Sequence, residues 1–193
     1  MAVVINGTSG ITGNTGTLIS ASTIGVGGAT PSASGAGITF PATPNLSSNA
    51  NTLDDYEEGS WTPVLGGSGS DPTGVTYNAQ AATYTRVGNL VTVFAYVGWT
   101  TYTGGSGNIQ IKGLPFAAVN STSGGFCNGA TQINNVALSS GYSWASMRTQ
   151  PNQTLLDIQQ QGSANAWTSV GWGAVSSSGS SKELLTSITY FVN

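Results

Sequence analysis

The chain has 193 residues, of which only 6% are charged, and a net charge of −3. A typical soluble domain carries about 25% charged residues, and helical bundles need charged outer faces, so a bundle is excluded. Abundant Gly (28 residues), Ser, Thr and Asn suit β-structure with uncharged turns.

The four bases, Arg86, Lys112, Arg148 and Lys182, are widely spaced. They form no basic stripe, so nucleic acid is not expected as a partner. A single Cys127 excludes an internal disulfide framework and reads as a small apolar residue of the interior. No apolar run approaches the roughly 18 residues needed to span a membrane, so no membrane insertion is expected. Met1–Ile5 lacks the basic start of a signal peptide, which points to folding in a cytoplasm.

In chain order, residues 1–52 read as an extended Gly/Ser/Thr-rich arm. Its short β-prone pieces are Val3-Val4-Ile5, Thr17-Leu18-Ile19 and Ile38-Thr39-Phe40. Heptads are absent, so it is no coiled-coil shaft. The arm is too poor in apolar residues for its own core and either pairs with copies of itself, lies on a neighbour or stays without fixed structure. Residues 53–63 follow as an acidic hinge. Four of the seven carboxylates, Asp54, Asp55, Glu57 and Glu58, fall here, just ahead of Trp61. Residues 64–193 read as a β-sandwich or jelly-roll head with enough Val, Ile, Leu and aromatics for one core.

Within the head, Tyr84–Val87 and Leu90–Val97 flank Gly88-Asn89, the strongest hairpin signal in the chain. Leu90, Thr92, Phe94 and Tyr96 alternate with Val91, Val93, Ala95 and Val97. Both faces are largely apolar, as in a strand covered on each side. Residues 104–107 read as a loop and Asn108–Lys112 as a strand ended by Gly113-Leu114-Pro115-Phe116. Further strands are expected at Gly125–Ala130, Asn135–Leu138, Tyr142–Arg148, Thr154–Gln160, Ala166–Trp172 and Leu184–Val192, with a turn at Pro151-Asn152. Leu155–Gln161 is also compatible with one or two helical turns. No fixed-period repeat is present, which excludes solenoids and propellers.

Two stretches carry a resemblance: Gly37-Ile38-Thr39-Phe40-Pro41-Ala42-Thr43, and Ser48 through Leu53-Asp54-Asp55-Tyr56-Glu57-Glu58-Gly59-Ser60-Trp61-Thr62-Pro63. With the hairpin Tyr84–Val91 and the end Ile111-Lys112-Gly113-Leu114-Pro115-Phe116, they resemble virion structural proteins of tailed bacteriophages, of tail-fibre type. The matches span roughly residues 36–120. The resemblance implies a homotrimeric, non-enzymatic component of the virion, assembled in the host cytoplasm. Its arm would be bound to other virion proteins (a tail adaptor, baseplate or capsid), and its distal β domain would contact host-surface polysaccharide. A capsid decoration (cement) protein is the alternative within the virion, and a free carbohydrate-binding module the alternative outside it.

The chemistry agrees with a non-enzyme. His is absent, and with it the commonest general base and metal ligand. Cys127 therefore has no imidazole to activate it. A glycosidase pair would have to come from Asp71, Asp157 and Glu183. The Gly-rich stretch 103–107 lacks the Lys and helix of a phosphate loop, so no cofactor is implied. The acidic cluster has three readings: a structural hinge, a solvating charge run, or a Ca²⁺ site. Trp99, Tyr102, Trp144, Trp167 and Trp172 are candidate ligand contacts. Flat rings pack on sugar C–H surfaces, and uncharged Asn, Gln and Ser suit neutral glycans. Each of these aromatics is equally a candidate for the core or a subunit interface.

Overall fold

The computed structural model describes residues 23–44, 46–49, 51–176 and 178–193. The predicted pieces Val3–Ile5 and Thr17–Ile19 lie outside them. The chain forms two compact units that divide between residues 45 and 46.

In the first unit, β1 (Thr23–Gly25) pairs in parallel with β2 (Gly37–Thr39), Ile24 standing opposite Ile38. The Val26 N–H donates to the Thr39 carbonyl at 3.0 Å, and the Thr23 hydroxyl to that of Ser32 at 2.7 Å. Both isoleucines remain exposed, so among the described residues of this unit backbone and hydroxyl hydrogen bonds count for more than apolar burial.

The second unit is all-β and antiparallel, the class read from the sequence. Its strands are β3 (Tyr56–Trp61), β4 (Val64–Gly67), β5 (Ser70–Val87), β6 (Leu90–Ser106), β7 (Ile109–Lys112), β8 (Asn128–Asn134), β9 (Trp144–Thr149), β10 (Leu155–Gln161), β11 (Thr168–Ser169) and β12 (Lys182–Phe191). A single 3₁₀ turn, Trp172–Ala174, is the sole helical element among the described residues. The strands make one ten-stranded sheet in the order β3-β5-β6-β12-β8-β9-β10-β7-β4, with β11 added on β10. The two layers expected of a sandwich are therefore halves of one continuous sheet. They join at β8 and β9, where only Asn128–Arg148 and Gly129–Met147 pair.

The core lies between the halves. From one side come Val91, Val93, Ala95, Val97 and Trp99 of β6 with Leu184, Ile188 and Tyr190 of β12. Leu65, Ile109, Ile111, Met147, Leu156 and Ile158 come from the other. These are alternate residues of each strand, the period-2 pattern that places one face inward.

Several elements differ from expectation for local reasons. β5 begins at Ser70, well before Tyr84, and irregular pairing between Thr73 and Ala79 carries it past Gly74. Residues 104–106 pair with that extension instead of looping, so the loop shrinks to Gly107-Asn108. β8 starts only at Asn128 and ends at Asn134, because Asn135 takes a left-handed φ of 54°. The strand predicted at Asn135–Leu138 is thus cut off at its first residue. Ala166–Trp172 keeps just the two strand residues of β11. β3 and β4 were not foreseen as strands. The strand expected at Thr154–Gln160 is present as β10 (Leu155–Gln161), bonded on both edges, to β9 and β7, and only its helical alternative falls. Finally, the β6 face bearing Leu90, Phe94 and Tyr96 is uncovered, with Phe94 46% exposed.

Candidate functional site

The acidic segment forms the end of the sheet. β3 pairs with β5 from Tyr56–Val87 to Trp61–Ala82, and each of the four carboxylates has its own structural partner. Asp54 Oδ2 accepts from the Ser47 N–H at 2.6 Å. Asp55 is buried, its Oδ2 3.1 Å from Arg86 Nε. The Nε–H itself donates to the Gly88 carbonyl at 2.8 Å, so the Asp55 contact is an ion pair without a hydrogen bond at that nitrogen. Glu57 accepts from the Tyr84 hydroxyl, which raises the pKa of that tyrosine, and Glu58 Oε2 accepts from Tyr56 at 2.7 Å. The Tyr84 ring lies across Gly59, where a Cβ would come within 2.9 Å of it. Trp61 is buried and donates from Nε1 to Thr83 O at 3.3 Å. Among the described residues no three His, Cys, Asp or Glu side chains come together as a metal site.

The remaining carboxylates sit apart, each engaged separately. Asp71 meets Lys112 Nζ at 2.6 Å and the Gly67 N–H at 2.9 Å, and both contacts hold it below the usual carboxylate range. Asp157 accepts from Gln110 and Gln150, and Glu183 from Tyr96 and Asn134. Cys127 is half-buried, its thiol donating to the Gly124 carbonyl at 3.4 Å.

The five candidate aromatics divide by burial. Trp99 and Trp172 lie in the core, and Tyr102 packs on Trp172 with ring centroids 4.7 Å apart while donating to Val175 O. Surface ligands cannot reach the first two. Trp144 and Trp167 stand exposed, at 52% and 53%. Trp144 is on β9 and Trp167 just precedes β11, and beside Trp167 the structure assembles a polar cleft of about 90 Å³. It is lined by Asn128, Ser146, Arg148, Gln159, Gln161 and Trp167.

The cleft follows from strand periodicity. Trp144, Ser146 and Arg148 are alternate residues of β9; Asp157, Gln159 and Gln161 are alternate residues of β10 and stand opposite Arg148, Ser146 and Trp144 in register. All therefore share one face. Arg148 Cζ lies 4.3 Å from the Trp167 ring centroid and 4.9 Å from that of Phe126, close enough for cation–π attraction to both. Although Asp157 is its cross-strand neighbour, both Asp157 oxygens are taken by glutamine amides, and among the described residues Arg148 forms no ion pair. Its Nε is buried without a protein partner. Gln159, 3% exposed, donates from Nε2 to Ser169 Oγ at 3.0 Å, while its Oε1 is likewise unpartnered. Trp144 Nε1 donates to Gln161 Oε1 at 3.0 Å.

Of these residues the sequence singled out Trp144 and Trp167. Arg148, Gln159, Ser146, Asn128 and Gln161 were missed. The alternation Trp-x-Ser-x-Arg and Asp-x-Gln-x-Gln was readable, but only the β9–β10 register puts the two rows side by side.

No protein family and no curated protein matches the sequence. Among solved structures the chain is similar to the Dettilon tailspike protein (gp208), with 20% identity, a TM-score of 0.45, and coverage of 70% of this chain. The chain spans 24% of the length of that protein.

Proposed function

We propose that the chain is a structural component of a phage virion. It is a short tail fibre held through its N-terminal segment by other virion proteins, and its second unit contacts host-surface glycan as a homotrimer. The observation that carries the binding role is the cleft over β9 and β10. There an exposed indole adjoins a group of side chains rich in hydrogen-bonding atoms, two of which are buried without partners. Aromatic faces pack on sugar C–H surfaces while nearby polar groups fix the hydroxyls. At about 90 Å³ the cleft holds only part of a ligand, because pockets that enclose one whole are about 300–1,000 Å³. Such a site binds weakly, and repetition over three subunits and several fibres supplies avidity.

The virion assignment rests on the resemblance of Leu53–Pro63 and its neighbouring motifs. The trimer is supported by the uncovered outer face of β5, β6 and β12, where Val87, Leu90, Phe94 and Phe191 are exposed. An apolar strand face of this kind suits burial by another copy.

The test is binding of the fluorescently labelled chain to host cells. Wild type should bind, and should stop binding once surface polysaccharide is stripped; Trp167→Ala should bind weakly. Equal binding by Trp167→Ala would remove the cleft from the mechanism. Cryo-EM of the virion should place the chain on the tail, and density over the capsid lattice would establish the decoration reading instead.

A further inference from the structure

We infer that the cleft selects an acidic sugar, with the guanidinium of Arg148 receiving the ligand's carboxylate and Gln159 Oε1 receiving a neighbouring hydroxyl. This rests on the glycan reading above and replaces the neutral ligand expected from composition.

The charge state of the site carries the inference. The chain has four bases, and the structure accounts differently for each. Arg86 is paired with Asp55 and Lys112 with Asp71, while Lys182 Nζ is held by the carbonyls of Thr100 and Ser178. Arg148 and Lys182 each border a cleft whose lining has no carboxylate among the described residues, but the Lys182 ammonium is already held by its two carbonyls, whereas the buried Nε of Arg148 has no acceptor. The one acid opposite it, Asp157, is occupied by Gln110 and Gln150. Two rings hold the guanidinium in place. A buried donor without a partner is left desolvated and unpaired, so a site that keeps one is suited to a ligand that satisfies it.

The second unpartnered atom narrows the ligand. Gln159 Oε1 only accepts, so it matches an O–H or N–H donor and repels an anionic oxygen. A bare phosphate or carboxylate answers Arg148 and not Gln159. A sugar bearing a carboxylate beside a free hydroxyl answers both, and its ring packs against Trp167.

The experiment compares acidic oligosaccharides with their carboxyl-reduced, neutral forms, titrated against the full-length chain by tryptophan fluorescence, with inorganic phosphate as a further probe. The acidic form should bind about ten-fold or more tightly than the reduced form, the worth of one charge-assisted hydrogen bond. Arg148→Gln should abolish the difference. Gln159→Glu, nearly isosteric, should do the same by placing a competing carboxylate beside Arg148, and it serves if Arg148→Gln fails to fold. Equal binding of both forms, lost in Trp167→Ala but kept in Arg148→Gln, would overturn the acidic specificity while leaving glycan binding intact. Binding of phosphate without any acidic sugar would overturn it as well. Binding of no saccharide in either form would remove both this inference and the glycan reading.

Discussion

Asp55 and Arg86 show how much one pair of charges decides at the start of the sheet. Both are buried, Arg86 also lies over the Phe116 ring at 4.9 Å, and the Gly88 N–H returns to the Asp55 carbonyl at 2.9 Å. The pair therefore locks the entry of β3 to the turn that ends β5. Removing one partner of a buried ion pair costs about 3–5 kcal/mol, because the other charge stays desolvated. Arg86→Met should lose about that much in urea unfolding, and adding Asp55→Asn should recover part of it. A second residue-scale effect is alkaline. Burial raises the Tyr190 pKa well above its ordinary value, and its hydroxyl donates to Phe116 O at 3.0 Å. A raised folded pKa contributes stability that is fully present below the unfolded value, about 10, and is lost as pH rises toward the folded one. Tyr190→Phe should thus be less stable at neutral pH, by about 1 kcal/mol, with a shallower decline above pH 10 in pH-resolved denaturation. The sequence marked Asp55 only as one of four clustered acids. Which of the four is buried depends on an arginine at the far end of another strand.

At the scale of elements, the β5–β6 hairpin was legible because its turn is local. Gly88 adopts φ +58° with no atom within 4 Å of a Cβ placed there, so Gly88→Ala would meet backbone strain alone. It should cost about 1 kcal/mol by urea denaturation without changing the m-value. β10 was harder to read. Its inner residues Leu156, Ile158 and Gln160 and its outer residues Asp157 and Gln159 are all buried, which erases the polar–apolar alternation that distinguishes strand from helix. Its outer polar groups are covered by other side chains, Gln110 and Gln150 on Asp157 and Ser169 on Gln159. The cleft was only half legible for the same reason. Exposed tryptophans can be suspected from a sequence, whereas the placing of Arg148 and Gln159 on one face of two neighbouring strands cannot.

At the scale of the molecule, the division between residues 45 and 46 predicts that residues 46–193 fold without the preceding segment. That fragment should show one cooperative transition at the melting temperature of the full chain's β unit, and a molten, dye-binding product would contradict this. The uncovered β6 face predicts a separable effect. Phe94→Glu adds a charge at a 46%-exposed position and should leave the fold intact, while light scattering should show the proposed trimer reduced to monomer. Persistence of the trimer would assign its contacts to another surface.

The sequence by itself determined the all-β class, the hairpin at Gly88-Asn89 and the change of texture near the acidic run. Each rests on composition or on residues adjacent in the chain. Tertiary structure decided the rest: one curled sheet, Asp55 paired with Arg86 and the other three acids tied to separate partners, two of five aromatic candidates buried in the core, and Arg148 beside an unpartnered glutamine oxygen. These depend on strand register and on which face is covered. Both are set by contacts between residues far apart in the chain, where a one-residue slip would turn every side chain to the opposite face.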